Sequence, residues 1–93
     1  MSEAILSKRL EIKNRLGLHA RAAAQLVEIA RQFDADISIV KDGQAVDGKS
    51  ILGILLLAAS QGTRIVISVS GEDEVDAFAA VEDLVTRSFD EGE

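Results

Sequence analysis

The chain contains no cysteine, no proline, no tryptophan and no tyrosine. Without cysteine, disulfides, thiolate metal sites and thiol nucleophiles are excluded. Aromatic residues make up only 3%, so the core must be built from Leu, Ile, Val and Ala, with Phe33, Phe78 and Phe89 as its largest pieces. Long apolar runs are also missing. The longest, Ile51 to Ala59, is interrupted by Gly53 and falls far short of the roughly 20 residues that span a membrane. Met1 to Leu10 shows neither an extended apolar stretch nor a cleavage-type signal. The expectation is a cytoplasmic protein with no membrane insertion. Excess positive charge is lacking too. The net charge is -6, which argues against free nucleic acid as a partner, because phosphate binding needs a cationic footprint. A single histidine and scattered carboxylates give no metal-ligand spacing, and neither a metal nor a cofactor is expected.

What is present is the balance of a soluble globular protein: 47% hydrophobic and 28% charged residues in a chain of 93. That length suits one domain over residues 1–93 and not two. The charge is uneven. Acid collects in Glu72, Asp73, Glu74, Asp76, Asp90, Glu91 and Glu93, whereas Lys8, Arg9, Lys13, Arg15, Arg21 and Arg31 lie in the first third.

Periodicity divides the chain into seven elements. Leu6 to Lys13 alternates as a strand, with one mismatch at Lys8. Asn14 to Leu18 reads as a loop. The Ala-rich stretch from Ala20 predicts a helix ending near Phe33, with Leu26, Ile29, Ala30 and Phe33 on one face. Asp36 to Lys41 is a second strand. Asp42-Gly43 is a strong hairpin signal, and Gln44 to Asp47 returns antiparallel. Ser50 is a favoured N-cap for a short helix over Ile51 to Ala59, closed by Gln61-Gly62 with Gly62 in a left-handed position. Arg64 to Ser70 is a fourth strand. Glu74 to about Phe89 is a last helix, with Val75, Phe78, Val81, Val85 and Phe89 on one stripe and acid in its first turn. The order βαββαβα with a tight hairpin predicts an α+β fold: a four-stranded antiparallel sheet with three helices on one face.

His19 stands where the loop meets the first helix. Ser, Thr, Asp or Asn would normally cap that position, because their oxygens accept from the orphan amides of the first turn. Histidine caps poorly, so chemistry is the better reason for its presence. The helix start and the nearby Arg15 and Arg21 disfavour a charged ring, which leaves a nucleophilic nitrogen. After phosphoryl transfer, the same first-turn amides become an anion site, and Arg21 can add charge-assisted hydrogen bonds. An ordinary surface histidine at a helix end is the bland alternative.

Gly43 to Ser50 matches the phosphate-loop pattern G-x-x-x-x-G-K-S letter for letter. It is rejected because Asp42-Gly43 reads as a hairpin turn and Ala45-Val46 as strand. The chain is also too short for a parallel nucleotide-binding sheet, and no strand ending in a magnesium-binding Asp follows. The helix after Ser50 is apolar on nearly every side. One side must pack on the sheet; an exposed remainder would mark a partner site.

Gly17-Leu18-His19-Ala20-Arg21 resembles the active-site signature of the HPr family, the histidine-containing phosphocarriers of the bacterial phosphotransferase system. Gly48 to Ile54, followed by Leu57 to Thr63, is similar to that family's serine segment. The similarity runs from about Leu6 to Phe89. It implies an open-faced β-sandwich in which His19 takes a phosphoryl group on Nδ1 from phosphoenolpyruvate-charged Enzyme I. His19 would pass the group to an Enzyme IIA-type domain, with Arg21 as its stabilising partner. It implies Ser50 as a regulatory site where an HPr kinase/phosphorylase is present. It also implies partner contacts by Arg21, Ala24, Gln25, Lys49, Ile51, Leu52, Leu55 and Leu56, and a monomer. Such a protein is a phosphoryl carrier rather than a stand-alone enzyme. The alternative is a regulatory paralogue that acts only as an interaction module. Ala22 stands where the family usually has proline.

Overall fold

The structure, a computed structural model, describes residues 6–91; Met1 to Ile5 and the acidic Glu93 lie outside them. Four strands, β1 (Leu6–Glu11), β2 (Asp36–Lys41), β3 (Gln44–Asp47) and β4 (Arg64–Ser70), alternate with three helices, α1 (Ala20–Ala30), α2 (Ile51–Leu57) and α3 (Glu74–Thr86). The strands form one sheet in the order β1-β4-β2-β3, antiparallel throughout.

Period-two alternation decides which side of the sheet is covered. Ile37 and Ile39 of β2, and Ile65, Ile67 and Val69 of β4, are buried. They pair across the strands as Ile37 with Val69 and Ile39 with Ile67. The intervening Ser38, Val66 and Ser68 remain partly accessible on the open side. The mismatch at Lys8 has a physical explanation. Lys8 lies on the covered side opposite Ile67, but its Nζ reaches the edge and donates to Glu82 Oε2 of α3 at 2.6 Å. The helices bury Ala22, Ala23, Leu26, Ala30, Ile54, Leu57, Ala77, Val81, Leu84 and Val85 against this face. Each large aliphatic among them contributes about 1.5–3 kcal/mol relative to exposure.

The hairpin forms at Asp42 (φ 51) and Gly43 (φ 81), as the two-residue turn requires. Ala45 and Val46 pair with Val40 and Ile39. The phosphate-loop letters therefore lie in a hairpin strand and leave no open cradle. Ser50 caps α2: its Oγ accepts from Gly53 N at 3.1 Å. Asp73 precedes α3 but caps no helix. It accepts instead from the amides of Asp34 and Ala35, both at 2.9 Å, and so ties α3 to the segment after α1.

Several boundaries differ from the pattern reading. β1 ends at Glu11 rather than Lys13, although Ile12 continues the ladder through Thr63 O (2.8 Å) and Gly62 N (2.7 Å). α1 ends at Ala30, three residues before Phe33, because Gln32 and Phe33 make tighter bonds to Ile29 O and Ala30 O. α2 stops at Leu57, not Ala59. Ala58 takes the left-handed position (φ 51), and Gly62 (φ 89) serves the turn into β4 instead. The early stop frees Ala59 O to accept from Leu18 N at 2.8 Å. α3 ends at Thr86, and Val75 is 67% exposed rather than part of the buried stripe. Phe89 is buried, but in a separate turn. Ser88, Phe89 and Asp90 all have positive φ, between 53 and 61 degrees.

Candidate functional site

The site is assembled from the loop after β1, the start of α1 and the turn after α3. The loop is fixed by buried Asn14, whose Nδ2 donates to Gly17 O at 2.8 Å. Gly17 is left-handed (φ +65) and lies against the end of α2: a Cβ there would sit 2.4 Å from Ala59 O and 2.8 Å from Ser60 Cα. Leu18 N then bonds Ala59 O, and buried Leu18 joins the core. These contacts leave His19 at the mouth of α1 in extended geometry (φ -77, ψ -177), with no side-chain capping bond to the helix. Its carbonyl accepts from Ala23 N at 2.8 Å, which closes the first turn. The amides of Ala20, Arg21 and Ala22 precede the first intrahelical donor, as at any α-helix start.

The ring of His19 is engaged on one nitrogen only, as far as the described contacts go. Nε2 is hydrogen-bonded to Glu91 Oε2, a contact that becomes an ion pair when the ring is protonated. The other oxygen of Glu91, Oε1, accepts from Asn14 Nδ2 at 3.0 Å. The His19 and Glu91 side chains retain 27% and 13% of their exposure, so the pair is half-sheltered rather than sealed. The Glu91 carboxyl is held below its ordinary value of 4.5. The His19 hydrogen bond is the main cause. Burial opposes it, while the Asn14 bond and the charges of His19 and Arg21 add to it. Around the pair lies an open hollow of about 640 Å³, lined by Arg15, Leu16, His19, Arg21, Asp90 and Glu91. Arg21 is exposed and, among the described residues, forms no ion pair. Its guanidinium is available to an incoming anion.

The two residues singled out for chemistry, His19 and Arg21, line the same hollow. Glu91 and Asn14 carry no sequence signal that marks them as site residues. Asn14 gives no periodic signal, and Glu91 reads as one acid in an acidic tail. Only the reversal through Ser88 to Asp90 brings it back to the loop.

Ser50 belongs to a second, shallower hollow of about 420 Å³, lined with Val27, Arg31, Lys49, Ile51 and Leu52. α1 packs against α2 there. Ile51, Leu52 and Leu56 are exposed at 40%, 70% and 72%, so α2 is not fully buried. Leu55 is half-buried against the core. Ala24 is exposed. Gln25 is half-buried, and its Oε1 is enclosed without a hydrogen-bond partner. Lys49 is directed inward, where its Nζ donates to Phe33 O at 2.8 Å. Among the described residues no cluster of acidic or histidine side chains could hold a metal ion. No helix there is long and apolar enough to cross a membrane.

An open-faced α+β sandwich presenting one histidine at a helix start that its side chain does not cap, in an open hollow with an arginine that is unpaired among the described residues, defines a class. It is a carrier of a small anionic group that meets its donors and acceptors at the surface. Comparison with known proteins makes that class specific. The family model described as "PTS HPr component phosphorylation site" matches residues 6–87. Phosphocarrier protein HPr of Neisseria meningitidis is 43% identical over 89 residues, covering 96% of this chain and all (100%) of the relative. The HPr of Xylella fastidiosa is 44% identical over 87 residues, covering 94% and 98%. The crystal structure of an HPr from Thermoanaerobacter tengcongensis superposes with a TM-score of 0.90 at 43% identity, covering 92% and 97%. The chain belongs to the HPr family, the phosphocarriers of the phosphotransferase system.

Proposed function

We propose that His19 is the phosphoryl-carrying residue, accepting the group from phosphoenolpyruvate-charged Enzyme I and passing it to an Enzyme IIA-type domain. One observation carries this reading: the sole histidine sits at a helix start that its own side chain does not cap, beside an exposed Arg21 that forms no ion pair among the described residues. Glu91 engages Nε2 and not Nδ1, so Nδ1 is the nitrogen that takes the phosphoryl group. Helix-start amides and Arg21 then receive its oxygens. Because the hollow is open, a partner surface can enclose it during transfer. Leu16, Ile51, Leu52 and Leu56 supply the exposed apolar contacts, with Ala24, Gln25 and Lys49 at the margin of that surface.

Ser50 is a regulatory phosphorylation site for an HPr kinase/phosphorylase. Its phosphate would keep company with the α2 start while adding negative charge beside Leu52. The protein acts as a cytoplasmic, monomeric, single-domain shuttle and needs no cofactor. The test is intact mass after incubation with phosphoenolpyruvate, magnesium and Enzyme I, with His19→Ala as the control. An acid-labile gain of one phosphoryl group in the parent and none in the control is expected. An equal gain in the control, or none in the parent with its cognate Enzyme I, refutes the assignment.

A further inference from the structure

The hollow around His19 contains a carboxylate that the carrier reading does not by itself require. Glu91 reaches the ring only because the chain after α3 reverses through three consecutive left-handed residues, Ser88, Phe89 and Asp90, none of them glycine. Left-handed geometry costs roughly 1–2 kcal/mol per non-glycine residue. Such strain persists only where surrounding contacts over-determine it. Here the contacts are explicit. Phe89 is buried at 1% exposure. Asp90 N and Glu91 N bond Arg87 O and Ser88 O, both at 3.0 Å. Glu91 is then held from both sides, Oε1 on Asn14 and Oε2 on the imidazole.

We propose that Glu91 is a positioning residue for phosphoryl transfer, a role that rests on the assignment of His19 above. A carboxylate accepts and cannot donate, so the ring nitrogen facing it must carry the proton. That fixes the neutral ring as the Nε2–H tautomer and leaves the Nδ1 lone pair unprotonated. When Nδ1 attacks, its lone pair forms the bond to phosphorus. The donor's bond to phosphorus breaks, and that electron pair returns to the donor. No proton has to leave Nδ1, because none was there. The ring instead becomes a phosphoimidazolium, and its new positive charge lies on the Nε2–H side against Glu91. In the onward step the N–P bond breaks, its pair returns to Nδ1, and the ring is again neutral with the same proton in place. Glu91 thus holds one tautomer through a full cycle of acceptance and donation. It also opposes the charge that appears on the ring in between. The same logic applies wherever a carboxylate orients an imidazole and stabilises its charged form.

Two variants separate orientation from charge. Glu91→Gln keeps an acceptor oxygen for Nε2–H and loses the charge. Glu91→Ala loses both. Ring tautomers are read on the unphosphorylated proteins from histidine ¹⁵N spectra in mildly alkaline buffer. Initial rates of phosphoryl acceptance are read by rapid quench with Enzyme I. The parent is expected to show protonated Nε2 and bare Nδ1. Glu91→Gln is expected to keep that signature and to accept phosphoryl groups about fivefold more slowly, the scale of one half-sheltered charge pair. Glu91→Ala is expected to show both tautomers in exchange and to be slower still. A Glu91→Ala ring that stays wholly Nε2–H overturns the proposal, as do parental rates in both variants. If the parent itself takes up no phosphoryl group at His19, it is the carrier assignment that has failed. If the parent is labelled normally and the variants match it, only the role of Glu91 has failed.

Discussion

Gly17→Ala is the substitution in which one added methyl tests how the active loop is held. Two costs add at this position. Alanine at φ +65 loses about 1–2 kcal/mol to left-handed geometry. The new Cβ would also lie 2.4 Å from Ala59 O and 2.8 Å from Ser60 Cα. Both are backbone atoms, so relief requires moving the loop away from the end of α2 and stretching the Leu18–Ala59 hydrogen bond of 2.8 Å. Loss of that bond and the associated packing adds about 1–3 kcal/mol. Gly43→Ala is the matched control: Gly43 is also left-handed (φ +81) but has nothing within 4 Å of its Cβ position. It should lose the conformational part alone.

In a domain of this size each 1 kcal/mol lowers Tm by about 4–8 °C. Gly17→Ala should therefore melt about 8–40 °C below the parent, and Gly43→Ala about 4–16 °C below it, on the same scale. Urea denaturation at 25 °C and calorimetry on the three proteins measure this. At a temperature where all three are folded, phosphoryl acceptance should fall in Gly17→Ala and stay at the parental rate in Gly43→Ala, because only the former displaces His19. Equal melting temperatures for the two variants would refute the claim that close approach, rather than backbone conformation alone, requires glycine at position 17.

Arg21→Ala should slow phosphoryl transfer by about 10- to 100-fold, the worth of a hydrogen bond to a charged group, with Tm unchanged because Arg21 is exposed and forms no ion pair among the described residues; a fall in Tm alongside the fall in rate, in a melting and rapid-quench series, would show a structural role instead. Leu52→Asp should raise the KM for the partner protein while shifting stability by no more than about 0.5 kcal/mol, since Leu52 is 70% exposed. Ile54→Ala, at 0% exposure, should lose about 2–5 kcal/mol, and an equal effect of the two on urea midpoints would count against α2 as a two-sided helix. The Glu91 carboxyl sits below its ordinary 4.5, so its stabilising contact is complete above that value and is lost as pH falls through the lower folded value. A ¹³C titration of the carboxyl should place its midpoint below 4.5, and a midpoint at or above it would remove the ion pair from the account.

Local chemistry made most of the fold readable. Asp42-Gly43 set the hairpin, Ser50 set the start of α2, and the alternation of Arg64 to Ser70 placed Ile65, Ile67 and Val69 on the covered side. Where the reading failed, a distant partner decided. Ala58 ends α2 although alanine is a strong helix former, and Lys41 Nζ donates to the freed Leu57 carbonyl at 2.8 Å. Phe89 falls at helical spacing behind Val85, yet it is buried from outside the helix in a left-handed turn. No periodicity can announce such a turn. The site divides in the same way. His19 and Arg21 were legible because a poor capping residue at a helix start, flanked by cations, conflicts with local preference. Asn14 and Glu91 obey local preference well enough, and their role comes from a contact spanning 77 residues of chain.

The parts of the site that local rules disfavour flank the ring and its carboxylate partner. His19 forgoes a capping oxygen that would contribute about 1 kcal/mol. Gly17 gives up a side chain so that the loop can lie on Ala59, and Ser88 to Asp90 accept left-handed backbone. Their stabilising counterparts lie beside them or within the same turn: Leu18 buried after Gly17, Ala20 continuing as helix after His19, Phe89 buried inside the left-handed turn. Core packing therefore holds a strained frame from both sides of the site, and the frame holds the imidazole by Nε2, leaving Nδ1 for the chemistry proposed above. A carrier must release its group as readily as it accepts it. Orientation of the ring, combined with an open hollow and an exposed cation on Arg21, meets that need better than a deep cavity would. On the proposed assignment, the fold fixes the nucleophile and leaves the enclosure of the phosphoryl group to the docked partner.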